Sequence, residues 1–329
     1  EASYPRSAMP WFDLYDDMGG IYVGSHDAKL RATLLSCGPD RSRSGLNVSV
    51  TKKDRISPYG GENSFELAIG VHAGRWYQGA DWYRAWFNQT IGEPKWPAWL
   101  TESDGWLFDN ISLLPVPYYA LPETTFRRAL RLGLRHVQIW GTTPSNSCPT
   151  YYLPPSFAGG ERALRQASEW WNQRGGIVGY YIHGNGTNSY LTMQDAYYQR
   201  QWSEYPEEVR PQSFDWYVRN HHYDFRSEPV MIEAELAKKR QQWAKKAERQ
   251  RGKHAMPEDY SHMSSLSKPW QDWLHFWIAE KYALDYRCGS VYIDTYNGGA
   301  DRPEYNSFLG MFGDGTVALA RRRLLKRIL

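Results

Sequence analysis

The sequence predicts an α/β protein: a partial TIM-type (β/α) barrel preceded by an antiparallel β-sandwich portion. Three observations carry this. Short runs of β-forming residues, parted by turn residues, fill the N-terminal part of the chain. Strands then alternate with amphipathic helices, which implies right-handed crossovers and a parallel sheet. One of those strands, 291–294, ends on Asp294, and Asn297-Gly298-Gly299 follows soon after. A barrel strand delivers a carboxylate to the mouth of its site in this way, although an Asp before a turn also serves simply as a turn former.

The β-rich part, 1–92, holds strands at 21–25, 32–36, 46–50 and 65–71. Gly19-Gly20, Gly38-Pro39-Asp40 and Pro58-Tyr59-Gly60-Gly61 punctuate them. That spacing reads as part of an antiparallel sandwich, with too few strands for a whole one. A helix at 80–88 and a Pro/Trp-rich joint, Pro94-Lys95-Trp96-Pro97-Ala98-Trp99, lead out of it. The second part, 93–329, begins with a strand at 106–109. Helix 122–132, strand 136–140 and helix 160–173 follow. Arg174-Gly175-Gly176 ends that last helix in the manner of a glycine C-cap. Strand 177–182 runs into His183. Helix 270–286, strand 291–294 and a basic helix at 317–328 complete the order. Four strands correspond to the first half of a (β/α)8 barrel. An insertion at about 184–266 separates the third from the fourth and is too long for a plain connection. It leaves the C-terminal end of a strand and so starts at the mouth. It reads as a lid or subsite wall bearing Trp202 and Trp216, or else as a surface arm.

Composition excludes several classes. The chain has 329 residues, 41% hydrophobic and 23% charged, so it is globular rather than disordered. A net charge of +3 argues against nucleic acid as the partner. No apolar run approaches the ~20 residues of a membrane span. The chain opens Glu-Ala-Ser-Tyr-Pro, without Met or a hydrophobic stretch, so no signal peptide is read in it and a mature or trimmed form is expected. The three cysteines, Cys37, Cys148 and Cys288, match no zinc or redox spacing and allow one disulfide at most. Asn47, Asn88, Asn110 and Asn185 each open an Asn-X-Ser/Thr sequon, which points to a secreted glycoprotein. The 16 Trp and 24 Tyr exceed what a core requires. Flat rings in clefts stack on sugar faces, while Tyr hydroxyls and Trp N–H groups serve sugar hydroxyls.

Three stretches carry a family resemblance. They are Trp11-Phe-Asp-Leu-Tyr-Asp-Asp-Met-Gly-Gly-Ile-Tyr-Val-Gly-Ser-His-Asp27, the run from Gly159-Gly160 through a helix to Arg174-Gly-Gly-Ile-Val-Gly-Tyr-Tyr-Ile182, and Tyr292-Ile293-Asp294. Together they resemble secreted glycoside hydrolases in which a β-sandwich precedes a (β/α)8 barrel, distantly like retaining α-galactosidases and α-glucosidases. In such enzymes the fourth strand ends on the nucleophilic Asp, which Asp294 matches by position. The general acid/base of these families sits on a later strand, about the sixth. The sequence stops one helix past Asp294, so the resemblance implies a fragment, a barrel completed by a further chain or segment, or a degenerate relative without catalysis.

Retaining hydrolysis needs a nucleophile and an acid/base about 5–5.5 Å apart. Asp294 is the candidate catalytic residue, and no second carboxyl is assigned. Asp109 and Trp140, at the ends of the first two strands, are candidate substrate ligands. His183, at the end of the third strand, and Tyr296, just past Asp294, join Trp202 and Trp216 in that role. No nucleophile elbow, P-loop or dinucleotide fingerprint occurs. His221-His222 with Asp224 is a poor metal site, because neighbouring side chains in an extended segment point opposite ways, and neither a metal nor a cofactor is expected. Two readings follow: a secreted retaining glycoside hydrolase acting on an oligo- or polysaccharide, or a non-catalytic glycan-binding or structural extracellular glycoprotein on a decayed hydrolase barrel.

Overall fold

The computed structural model describes residues 2–4, 9–31, 33–42, 44–52, 64–93, 95–110, 117–140, 154, 158–183, 186–188, 241, 260–262, 267–294 and 317–328. For 2–4, 183, 186–188, 260–262, 269, 294 and 317–322 it describes the backbone alone. The chain falls into two compact units. One is built on Glu1–Pro97 and the other on Ala98–Tyr296, with short stretches of the C-terminal region assigned to each.

The first unit holds two three-stranded antiparallel sheets. Strand β1 (Ala2–Tyr4) pairs with β4 (Thr33–Pro39), which pairs with β5 (Leu46–Lys52). In the other sheet β3 (Gly20–Ser25) lies between β2 (Trp11–Tyr15) and β6 (Leu67–His72). Strand β2 lies at the start of the Trp11–Asp27 stretch that carried the resemblance. Helix α1 (Tyr77–Thr90) brings Tyr83 and Trp86 into an aromatic cluster with Trp11, Tyr22 and His26. Several charged groups buried in this unit meet an opposite or hydrogen-bonding partner. Arg31 Nε donates to Asp27 at 2.8 Å, and Lys52 Nζ approaches the same carboxylate at 3.1 Å. His72 and Asp13, both buried, meet at 2.8 Å.

The second unit holds a four-stranded sheet in which every pairing is parallel. Its members are β7 (Trp106–Asn110), β8 (His136–Trp140), β9 (Ile177–His183) and β12 (Ser290–Asp294). They lie side by side in the order of the sequence. A short antiparallel pair, β10 (Gly186–Asn188) and β11 (Tyr260–His262), lies between β9 and β12 in the chain.

Period-two alternation divides the parallel sheet into two faces. Val137, Ile139, Val178, Tyr180 and Ile182 are buried in the core, with Val291 and Ile293 packed against it. Helix α4 (Gly160–Asn172) meets them with Ala163, Leu164, Ala167 and Trp171, the i, i+3, i+4 spacing of one helical stripe. Gly175, at φ 71°, ends this region in a Schellman motif: Gly176 N–H donates to Trp171 O and Gly175 N–H to Asn172 O. The expected glycine cap is there.

Two further helices differ from plain α-helices. The segment expected at 122–132 opens with a π-helical turn, Pro122–Phe126, before α3 (Arg127–Arg131). The segment expected at 270–286 is α5 (Lys268–His275) continued by a π-helical stretch, Phe276–Asp285. Ser267 caps α5 by accepting from Trp270 N–H at 3.2 Å. The wider π turns keep Phe126, Trp277 and Tyr282 buried. Helix α6 (Val317–Ile328) sets Leu324 into this same core.

Candidate active site

Sheet register decides what shares the face turned away from the helices. Asn110, Trp140, Tyr181 and Tyr292 are aligned across the four strands. Phe108 stands one alternate position below Asn110. Trp140 is the hub of an aromatic layer. Its ring lies 4.7 Å from Phe108 edge-on, 4.0 Å from Tyr181 and 5.4 Å from Tyr292. Tyr181 and Tyr292 stack at 14° and 5.5 Å. Tyr181 is buried, whereas Phe108 and Tyr292 are nearly half exposed. The layer therefore has a packed floor and an accessible rim.

Beneath it lies a polar layer. His136 Nε2 and Ser290 Oγ share a hydrogen bond of 2.8 Å although β9 runs between their strands. Gly179 makes this possible. A Cβ there would come within 2.5 Å of Ser290 Oγ and 2.8 Å of His136 Nε2, and would overlap Gln138 Oε1. Burial lowers the His136 pKa, so the ring is neutral near pH 7. Gln138 is 4% exposed. Among the described residues its Nε2 finds no hydrogen-bond partner, and neither does Trp140 Nε1. Two buried donors without acceptors, two residues apart on one strand, suit a face that meets an acceptor-rich ligand.

The site residues expected from sequence fare differently. Trp140 holds the centre of the aromatic layer. Asp294 and His183 are register partners at the C-terminal ends of β12 and β9, one alternate position beyond Tyr292 and Tyr181; their side chains lie outside the described part. Asp109 is a correction. It pairs in register with Ile139 and so belongs to the helix side of the sheet. There it accepts from Thr125 Oγ1 and sits 3.3 Å from Arg128 Nη2. It ties β7 to the turns at 122–131 instead of joining Trp140. Tyr296, Trp202 and Trp216 lie outside the described residues, as do Asn185 and His221, His222 and Asp224. The sequence reading assigned no role to Phe108, Gln138, Ser290, Tyr292 or His136. Counting back by twos from Asp294 reaches Tyr292 and Ser290, and from Trp140 it reaches Gln138 and His136. That signal was in the sequence.

No protein-family model matches the sequence, and no curated protein matches it. Solved structures do. The chain is similar to the GH36 α-galactosidase AgaA from Geobacillus stearothermophilus, with a TM-score of 0.55 and 12% identity over 99% of this chain and 42% of that one. It is similar to the α-N-acetylgalactosaminidase NagBb from Bifidobacterium bifidum in its GalNAc complex, with a TM-score of 0.58 and 12% identity over 97% of this chain and 49% of that one. An α-galactosidase from Lactobacillus brevis gives 0.52 and 10%, over 99% and 40%. The fold is that of a glycoside-hydrolase segment. The chain spans less than half the length of these three structures.

Proposed function

We propose that this chain is the nucleophile-bearing part of a retaining glycoside hydrolase acting on an oligo- or polysaccharide. The supporting observation is the position of Asp294, the last residue of the fourth strand in a parallel sheet ordered as the sequence runs. It is next to His183 in register and one alternate position above an aromatic layer. The sheet is then the first half of a (β/α)8 barrel. Its inner face exposes Trp106, Phe108 and Tyr292, as a barrel lining without its other half would. Trp140, Tyr181 and Tyr292 form the apolar wall of the sugar subsite, and the unpaired donors of Gln138 and Trp140 serve hydroxyl oxygens.

In this reading Asp294 attacks the anomeric carbon as the glycosidic C–O bond breaks and the acid protonates the departing oxygen, giving a glycosyl ester. Water, deprotonated by the same residue, then cleaves the ester, returns the carboxylate of Asp294 and releases the sugar with retained configuration. The acid/base comes from a further segment or chain. An extracellular setting is part of the proposal. It is supported by the sequons, of which Asn47 is exposed on β5 and Asn88 lies near the end of α1.

A glycosyl fluoride tests the nucleophile by itself, because fluoride leaves without protonation. A fluorinated glycosyl fluoride that traps the ester should add one glycosyl mass to the peptide holding Asp294, and Asp294→Asn should abolish it. A wild-type chain that binds sugar and takes no label would remove the nucleophile assignment and leave the non-catalytic reading.

A further inference from the structure

The proposed chemistry uses the C-terminal ends of the strands and leaves a cavity of about 230 Å³ at the opposite end unexplained. Three loops line it, each leading a helix into a strand of the parallel sheet. Trp99 comes from α2 (Ala98–Thr101), and Glu102 and Asp104 from the loop into β7. Arg135 and His136 stand at the entry to β8, and Gly175 at the entry to β9. Strand N-termini are ordinarily the stabilising end of such folds, so open polar chemistry there calls for a reason.

Among the described residues its charged groups are only partly engaged. Glu102 and Asp104 form no ion pair among the described residues, and Arg135 pairs with neither. One Arg135 nitrogen, Nη1, donates to Arg174 O at 2.6 Å. That bond holds the guanidinium over Gly175, and among the described residues its other N–H groups make no hydrogen bond. The Trp99 ring supplies a flat wall, packed edge-on against His136 at 5.1 Å. His136 is held neutral by burial.

A cleft lined by two carboxylates without ion pairs among the described residues, and by a guanidinium with N–H groups left over from its one bond, favours neither a simple anion nor a simple cation. It suits hydroxyl groups, which donate to the first and accept from the second, on a ring whose C–H face covers an indole. The volume lies below the roughly 300–1,000 Å³ of drug-sized sites and matches one ring. We propose that this cavity is a second saccharide site, taking a single pyranose unit at the end of the sheet remote from Asp294. It would hold a glycan while the mouth works on another part of it. The cavity carries this inference whether or not Asp294 is a nucleophile.

Ligand-efficiency bounds put a single pyranose at a Kd of about 1 mM. The test is therefore calorimetry and saturation-transfer NMR of the 329-residue chain with D-galactose, N-acetyl-D-galactosamine and D-glucose. At least one sugar should bind saturably. Trp99→Ala and the exposed pair Glu102→Gln/Asp104→Asn should each weaken binding at least about tenfold. A Trp140→Ala/Asp294→Asn variant should keep the affinity within about twofold, and Trp99→Ala should still take a glycosyl label at Asp294 wherever wild type does. Circular dichroism and the Tm establish that Trp99→Ala folds, and the carboxylate pair, on exposed positions, tests the site without touching a packed ring. Binding lost in the Trp140/Asp294 variant and kept in the cavity variants would overturn the second site while leaving the mouth intact. No saturable binding of any of the three sugars would overturn it as well.

Discussion

Cys37 and Cys288 are both free, yet they differ in reactivity by location alone. Cys288 is fully enclosed, and burial pushes its thiol up to about 12, only partly offset by a contact with Ser168. The thiolate is the reactive form. At pH 8 a maleimide should therefore label Cys37 in the folded chain within minutes and leave Cys288 unlabelled until denaturant is added. Peptide mapping by mass spectrometry reads this directly. His136 makes the opposite kind of statement. Its folded pKa is lowered below the ordinary value near 6.5, so the unfolded chain takes the proton more readily. The stability linked to this ring is present above about pH 6.5 and is lost as pH falls from there toward the folded pKa. Burial also lowers His26, against the raising effect of Glu66, so the wild type carries both contributions. His136→Gln should flatten part of the fall in urea midpoint between pH 7.5 and 5.5, and an unchanged slope would discharge His136 from this role.

Among the elements, β7 and β9 show what a single position decides. Gly179→Ala should cost about 1–3 kcal/mol in urea unfolding, because a methyl group enters space shared by Gln138, Ser290 and His136. Asp109→Asn should cost about 1–2 kcal/mol by weakening the ties to Thr125 and Arg128. It should leave saccharide binding and glycosyl labelling unchanged, since the carboxylate faces the helices. Placing Asp109 at the mouth was the natural reading of a strand-terminal acid. It failed because residues one apart on a strand face opposite ways, and sequence alone did not say which parity faced inward. The elements themselves were legible. Strands 136–140, 177–182 and 291–294 combine β-branched and aromatic residues, and the glycine cap at Arg174-Gly175-Gly176 marked the end of α4. The π-helical turns at Pro122–Phe126 and Phe276–Asp285 left no trace in periodicity, because a five-residue hydrogen bond shifts the apolar stripe by one position, within the scatter of a helical pattern. The hidden part of the site, the His136–Ser290 bond, joins residues 154 apart in sequence, a distance over which no local pattern speaks.

For the whole molecule, the proposed function predicts sugar binding without turnover. The chain covers 40–49% of the α-galactosidase and α-N-acetylgalactosaminidase structures whose fold it shares. Among the described residues no second carboxyl has been assigned beside Asp294. Aryl or natural glycosides, whose leaving groups need a proton, should be cleaved by this chain at a rate near background, even where a glycosyl fluoride labels it. Robust hydrolysis of an ordinary glycoside would mean that an acid/base already stands within these 329 residues, with Glu304, ten residues past Asp294 in the sequence, among the first to substitute.

The pairing of β9 with β12 also sets an order of assembly. Strands β7, β8 and β9 lie much closer together in the sequence than β9 and β12 do, and can pair more locally. Ser290 reaches its register partner Gly179 only after a very long stretch of intervening chain has been closed into a loop. Loop-closure entropy must be met before such a contact returns anything, so β12 is expected to dock later than β8 and β9. Amide exchange should accordingly be faster at 290–294 than at 137–139, and the strand that carries Asp294 is the one whose folding most depends on what is packed around it.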